Sequence, residues 1–125
     1  MIVGIGIDVV EIRRMREILA RQHDRFERRV YTDSEREYCR GHRDPAPSFA
    51  ARFAAKEAVF KALGTGWGQG VGWQDVEVVR SAGQAPTVRL SGHALKHAER
   101  LGVGSIHLSL SHSEDTAVAM AMLEN

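Results

Sequence analysis

Cysteine is nearly absent from this sequence, with Cys39 as the single example. One thiol excludes an intrachain disulfide and every zinc or redox motif that needs paired cysteines. No sequence neighbour offers Cys39 an activating partner, so we interpret it as a small packed side chain and not as a nucleophile.

Long apolar runs are also missing. No stretch approaches the roughly 20 apolar residues that a membrane-spanning helix requires. The apolar start of the chain, MIVGIGI, has no basic region before it and is interrupted by Asp8, unlike a secretory signal. We therefore expect a cytoplasmic protein with no membrane partner, and the length of 125 residues predicts a single domain over residues 1–125.

A strong excess of charge is absent as well. The formal net charge is +1, which argues against a general nucleic-acid binder that must neutralise many phosphates. Residues 11–30 are different, because seven arginines there stand against four acidic residues, a local excess of +3. This segment is suited to an acidic partner.

The chain does contain clear secondary-structure signals. Alternation and β-branched residues predict strands at 2–7, 75–80, 86–90, 105–111 and 116–123, with antiparallel pairing where the connections are short. Helical periodicity begins at Glu11, and further helices are predicted at Asp33–Arg40, 49–63 and Gly92–Leu101. The expected end signals are a capping box from Thr32 to Glu35, N-caps at Ser48 and Ser91, and a left-handed C-cap at Gly64.

The last predicted strand has apolar side chains on both faces. Val118, Met120 and Met122 alternate with three alanines, so neither face suits water. We expect both faces to be covered, the second one by another subunit or by an internal helix.

The long helix carries Glu57 and Lys61, four residues apart and therefore on the same face. A solvated surface ion pair is one interpretation. The alternative is a chemical role, since the helix leads into the glycine-rich segment 64–72, whose backbone amides suit a phosphate although it matches neither common phosphate-loop motif.

Asp8 is predicted at the end of the first strand. It either caps the following helix or lies at the mouth of a cleft. Magnesium needs only one or two carboxylates besides phosphate oxygens and water, so Asp8 together with Glu57 would suffice.

A third polar group, Ser111-His112-Ser113, lies at the end of a predicted strand and suits phosphate oxygens. A Ser/His/Asp hydrolase using Asp115 is disfavoured, because the chain has no GxSxG motif. His93 and His97 have a spacing that permits zinc, but no third ligand accompanies them.

Three segments together resemble a known family. They are Gly4-Ile5-Gly6-Ile7-Asp8-Val9-Val10-Glu11; then Arg52-Phe53-Ala54-Ala55-Lys56-Glu57-Ala58 with Lys61 and Gly64-Thr65-Gly66; and finally Ser109-Leu110-Ser111-His112-Ser113. In this order they resemble the holo-acyl-carrier-protein synthases, small 4′-phosphopantetheinyl transferases. The resemblance spans nearly the whole chain and implies an α+β fold, with a mostly antiparallel sheet packed against a long central helix and shorter helices.

The resemblance also implies a reaction, the transfer of the phosphopantetheine arm of coenzyme A to a serine of apo-acyl carrier protein. Asp8 and Glu57 would hold Mg²⁺, and Lys61 would stabilise the departing phosphate. The serine proton would go either to Glu57 or to a metal-held water, and the resemblance does not decide which of the two is the base. The expected coenzyme A contacts are Arg52, Lys56, Gly64, Thr65, Gly66, Ser111, His112 and Ser113.

The same resemblance implies a binding partner for the basic first helix. The family presents this helix to the acidic carrier protein, and the matching positions are Arg14, Ile18, Arg21, Arg25 and Phe26. The family also implies a homotrimer with active sites between subunits. Two other functions remain as alternatives, a non-catalytic adaptor for acidic proteins and a metal-dependent phosphohydrolase.

Overall fold

The computed structural model describes residues 1–65 and 70–125, which form two antiparallel sheets and their packed helices. The helices are α1 (Ile12–Gln22), α2 (Asp24–Val30), α3 (Asp33–Arg40), α4 (Ala46–Leu63) and α5 (Gly92–Leu101). The strands are β1 (Ile2–Glu11), β2 (Val76–Val79), β3 (Thr87–Leu90), β4 (Ser105–His112) and β5 (Thr116–Glu124). The predicted α+β architecture with antiparallel sheets is confirmed. None of the helices described in the structure is long and apolar enough to cross a membrane.

The larger sheet has the strand order β1-β5-β4, and α4 lies across its inner face. Every second residue of β5, from Ala117 through Ala119 to Ala121, is fully buried on that inner face. Because these side chains are small, the long helix approaches the sheet closely. A second cluster of buried side chains joins α1, α2 and α3 to the first half of α4.

Strand β1 is longer than the sequence predicts. It continues three residues beyond Asp8, because Val9 and Val10 pair with Val118 and Ala117 of β5. Asp8 therefore lies inside a paired strand and not at its end. Its carboxylate does not cap α1, whose N-cap is Glu11 and has no side-chain cap hydrogen bond.

The N-terminus of α4 was also predicted wrongly. The helix begins at Ala46, with Pro47 in its first turn, and Ser48 lies inside it. Proline is tolerated there because the first amides of a helix have no intrahelical acceptor. The left-handed conformation of Gly64 (φ 76°) and the capping box between Thr32 and Glu35 are both confirmed. Helix α2 was not anticipated as a separate element.

The outer face of the larger sheet is exposed within this single chain. Ile5, Ile7 and Val9 of β1 are 61%, 58% and 61% exposed, and the neighbouring Met120 of β5 is 38% exposed. Within the described residues no helix packs over these side chains, so an internal helix does not supply the second cover. An apolar surface of this kind marks an interaction site.

Candidate active site

Asp8 and Lys61 meet where α4 crosses β1. The Lys61 ammonium donates to Asp8 Oδ1 at 3.0 Å and to the carbonyl oxygen of Ile7 at 2.9 Å. The Asp8 side chain is 18% exposed and that of Lys61 is 53% exposed, so the pair lies at the edge of a cleft. Two residues that are 53 positions apart in sequence are thus brought together by helix-on-sheet packing.

Glu57 lies one turn before Lys61 on α4 and is half-buried. Burial raises the pKa of the Glu57 carboxyl above its usual value, the negative charge of Asp8 raises it further, and the ammonium of Lys61 opposes both effects. Two carboxylates that repel each other in a partly dry cleft favour a cation between them. Glu57 is therefore not an ordinary surface partner of Lys61.

A cavity of about 440 Å³ contains both carboxylates. Three of the residues predicted to dock a carrier protein, Arg14, Ile18 and Phe26, line the same cavity. Arg21 is an exposed residue of α1 and Arg25 of α2, and neither lines the cavity. The sequence reasoning missed several other lining residues, namely Val9, Val10, Glu11, Met15 and Phe53. Four of these are apolar, which gave no signal that distinguished them from core residues, and Glu11 was interpreted as part of the charged first helix.

The donor set fits magnesium. Asp8 and Glu57 supply carboxylate oxygens, and the Lys61 ammonium already occupies a cation position beside Asp8. Magnesium prefers oxygen ligands and takes few of them from the protein, with water and substrate phosphates completing the shell. Among the residues that the structure describes, no cluster of three or more histidine, cysteine or acidic side chains forms a denser metal site. His97, considered above for zinc, hydrogen-bonds through Nε2 to the carbonyl oxygen of Leu63 instead, at 2.9 Å.

A second cavity, of about 370 Å³, contains Arg52, Ser111 and His112. The Arg52 side chain is nearly enclosed, at 3% exposed, and its guanidinium lies 4.1 Å from the ring centroid of Tyr38. Its Nε and Nη2 atoms are buried and have no hydrogen-bond partner among the described residues. A buried cationic donor without a partner is unfavourable, so this cavity is suited to an anion. Sequence reasoning missed Tyr38, His42 and Arg80, which also line it.

The polar turn after β4 does not form a hydrolase triad. His112 Nδ1 lies 3.3 Å from the carbonyl oxygen of Ser113, and the Ser113 hydroxyl accepts from the backbone amide of Asp115 at 3.4 Å. No hydrogen bond joins the His112 ring to Asp115 in the described structure. All three side chains are exposed, and His112 and Ser113 share an open cavity next to the Arg52 site.

The position of Lys56 does not suit its predicted role as a coenzyme A contact. Its side chain is fully buried, with Nζ 2.8 Å from Glu35 Oε1 and 3.1 Å from the carbonyl oxygen of Trp73, and it also donates to the carbonyl oxygen of Val76. An ammonium enclosed in this way cannot reach a coenzyme A phosphate in either cavity. The sequence showed a lysine beside Glu57 but not that the two point in different directions.

The predicted contacts after α4 are only partly described. Gly64 ends the helix and is exposed, and Thr65 is 6% exposed with a buried hydroxyl that has no partner among the described residues. Neither residue lines the two cavities above. Gly66 lies outside the described residues.

The two halves of the predicted site are therefore separate within one chain. Asp8 and Glu57 line the first cavity, Arg52 and His112 line the second, and the two share no residue among those described. A substrate that contacts both groups needs either a long reach or a second copy of the chain.

Comparison with known proteins identifies the class. The profile of the 4′-phosphopantetheinyl transferase superfamily matches residues 4–121. The chain therefore belongs to this superfamily. The holo-[acyl-carrier-protein] synthase of Koribacter versatilis is 48% identical over 125 residues, covering all of both chains.

Solved structures agree with the sequence comparison. The crystal structure of holo-[acyl-carrier-protein] synthase from Neisseria meningitidis is 34% identical, covers 100% of both chains and has a TM-score of 0.89. The enzyme from Bacillus anthracis, in complex with coenzyme A (3′,5′-ADP), is 39% identical over 99% of this chain and 97% of that one, with a TM-score of 0.82. Within the superfamily, this chain thus resembles holo-[acyl-carrier-protein] synthases over its whole length.

Proposed function

We propose that residues 1–125 form one catalytic domain that transfers the 4′-phosphopantetheine arm of coenzyme A to a serine of apo-acyl carrier protein. The serine oxygen forms a new bond to phosphorus, the pyrophosphate P–O bond breaks, and 3′,5′-ADP leaves. The observation that carries this proposal is that Asp8 and Glu57 line one cavity together with Arg14 and Ile18, while Lys61 donates to Asp8. Relatives with this activity in their names match the chain over its full length.

The side chains at the first cavity divide the chemical work. Asp8 and Glu57 would hold Mg²⁺, which neutralises phosphate charge during phosphoryl transfer. Lys61 lies beside them and stabilises the charge that develops on the leaving phosphate. The serine hydroxyl gives its proton to Glu57 or to a water held at the same carboxylates.

The entrance of this cavity suits an acidic protein. Arg14 and Ile18 of α1 and Phe26 of α2 line it, and Arg21 and Arg25 extend the basic surface beyond its rim. Charge at such a surface sets the rate and orientation of encounter more than the final affinity. The target serine would enter between this surface and the carboxylates.

Coenzyme A phosphates suit the second cavity. The Nε and Nη2 atoms of Arg52 have no hydrogen-bond partner among the described residues and, with the adjoining His112 and Ser111, would supply donors for an anion. Ser113 lies next to them. A bidentate arginine contact gives both charge and geometry for phosphate. Relatives from Helicobacter pylori and Bacillus anthracis have been solved with coenzyme A.

A homotrimer unites the two cavities. The outer face formed by Ile5, Ile7, Val9 and Met120 is apolar and exposed, so it suits packing against another subunit. Ser111 lies on the same face, because it pairs with Val118, which in turn pairs with Val9. If this face packs against another copy, Ser111 and His112 of one chain come close to β1, and so to Asp8, of its neighbour. Each active site would then contain Asp8 and Glu57 from one subunit and His112 from another.

Mass spectrometry of an apo-acyl carrier protein tests the activity. Incubation with the chain, coenzyme A and Mg²⁺ should add the phosphopantetheine mass to the carrier. Glu57→Gln should lower kcat/KM by a factor of about 100 or more while the protein stays folded. Glu99→Gln, on the exposed surface of α5, is the matched control and should retain full activity. Phosphate release without any modified carrier would instead indicate a phosphohydrolase, and no coenzyme A binding would indicate an adaptor.

Complementation tests the shared site. Glu57→Gln and His112→Ala are each expected to be nearly inactive, but mixed trimers of the two should regain activity at about one site in four. No recovery after subunit exchange would place all the catalytic groups in one chain. Ile7→Lys should separately convert a trimer of 13.9 kDa chains into monomers, measured by light scattering.

A further inference from the structure

Two glycines bring β1 unusually close to α4. A Cβ atom on Gly6 would lie 2.0 Å from the carbonyl oxygen of Ala58, and one on Gly4 would lie 2.1 Å from the carbonyl oxygen of Ala62. Ordinary contacts of a Cβ atom begin at 3.4 Å. Both neighbours are backbone atoms of α4, so no side chain can move aside to make room.

The spacing of these contacts follows from the geometry of the two elements. Two residues of a strand rise by about 6.6 Å and four residues of a helix by about 6 Å, so the step from Gly4 to Gly6 matches the step from Ala62 to Ala58. The next inward position of β1 is Asp8. The glycines therefore set the distance between the strand that carries Asp8 and the helix turn that carries Glu57.

We propose that Gly6 is a positioning residue for the transfer reaction, acting by holding the Glu57 turn of α4 at the distance from Asp8 that lets both carboxylates bind one divalent cation. This inference rests on the proposed function and adds a residue that makes no contact with substrate. Gly4 makes the same kind of contact one turn further along, at Ala62, which follows Lys61 and lies five residues beyond Glu57. Glycine at position 6 is thus required by the site as well as by the fold.

The pair Gly6→Ala and Gly4→Ala provides a matched experiment. Each adds one methyl group against a helix carbonyl at nearly the same distance, and the methyl at position 6 also meets the amide nitrogen of Ala62 at 2.9 Å. Both should therefore lower stability in chemical denaturation, Gly6→Ala by the larger amount. Gly6→Ala should lower kcat by about 100-fold, because a displacement near 1 Å at reacting groups has effects of that size. Gly4→Ala presses on the turn beside Lys61 and should also lower kcat, so affinity for the cation, which depends on Asp8 and Glu57, separates the two variants. KM for coenzyme A should change little, since Arg52 and His112 lie in the other cavity.

Direct cation binding gives a readout independent of turnover. Mn²⁺ titration followed by electron paramagnetic resonance, with coenzyme A present and carrier protein absent, should show affinity about tenfold weaker for Gly6→Ala. Gly4→Ala should stay within about twofold of the wild type. If Mn²⁺ affinity fell in both variants only in proportion to their loss of stability, the proposal would be overturned.

A second variant covers the case in which Gly6→Ala does not fold. Ala119 of β5 pairs with Asp8 and is fully buried on the inner face of the sheet under α4, so Ala119→Val also pushes the helix away at this level. It should reproduce the loss of kcat and Mn²⁺ affinity, and wild-type values in folded Ala119→Val would sink the inference. Failure of the wild type itself to bind Mn²⁺ or modify the carrier would instead refute the proposed function.

Discussion

Replacing Lys56 with methionine tests whether this residue anchors the core. Lys56→Met keeps the length of the side chain but removes the ammonium, which donates to Glu35 and to the carbonyl oxygens of Trp73 and Val76. Burial lowers the pKa of Lys56, while the Glu35 carboxylate opposes that shift. The contacts connect α4 with α3 and with the segment that enters β2.

The magnitude follows from what the substitution leaves behind. Removing one partner of a buried ion pair destabilises a protein by about 3–5 kcal/mol, because the other charge stays buried without compensation. Glu35 keeps two donors, the backbone amides of Thr32 at 2.9 Å and Val78 at 2.8 Å, so we expect the lower end, about 3 kcal/mol. For a chain of this size that loss corresponds to a fall of about 10–15 °C in Tm.

Urea unfolding and thermal melting measure the effect, and a double-mutant cycle isolates the pair. Lys56→Met combined with Glu35→Met should be more stable than the sum of the single losses predicts, since neither charge then remains buried alone. KM for coenzyme A in folded Lys56→Met should stay near the wild-type value. Unchanged stability together with a raised KM would refute the core assignment and restore Lys56 as a phosphate contact.

Two other substitutions test the second cavity and the buried thiol. Arg52→Met should raise KM for coenzyme A by about tenfold or more, because it removes the two buried donors that have no hydrogen-bond partner among the described residues. Enzyme kinetics measures the effect with the exposed Arg100→Met as the control, and equal KM values for the two variants would contradict the prediction. Burial raises the pKa of Cys39 from 9.0 to about 12, so above pH 9 the unfolded chain loses a proton that the folded chain keeps, and folding stability falls as pH rises. Between pH 8 and 10.5 the stability of the wild type should fall by about 2 kcal/mol relative to Cys39→Ala in urea titrations, and parallel pH profiles would show that the thiol is not protected.

Local signals in the sequence account for most of the secondary structure. The capping box of Thr32 and Glu35, the glycine after Leu63 and the alternation in β4 and β5 were interpreted correctly, because each depends on neighbours within a few residues. The start of α4 was predicted wrongly since Pro47 occurs in both loops and first helical turns, and Ser48 gave a stronger local signal than the true boundary. The resemblance assigned Asp8 and Lys61 to one site without predicting a contact between them, and the fold brings the two side chains within 3.0 Å of each other.

The sequence by itself determined the class of protein, because motif order and side-chain type are written along the chain, and it supplied the candidate residues for the chemistry. The tertiary structure decided where those residues point. Lys56 and Glu57 are adjacent in sequence, yet one faces the core and the other the first cavity, because α4 is buried on most of its circumference. The close approach at Gly6 and the separation of Asp8 from His112 likewise depend on how α4 packs on the sheet, which long-range contacts decide.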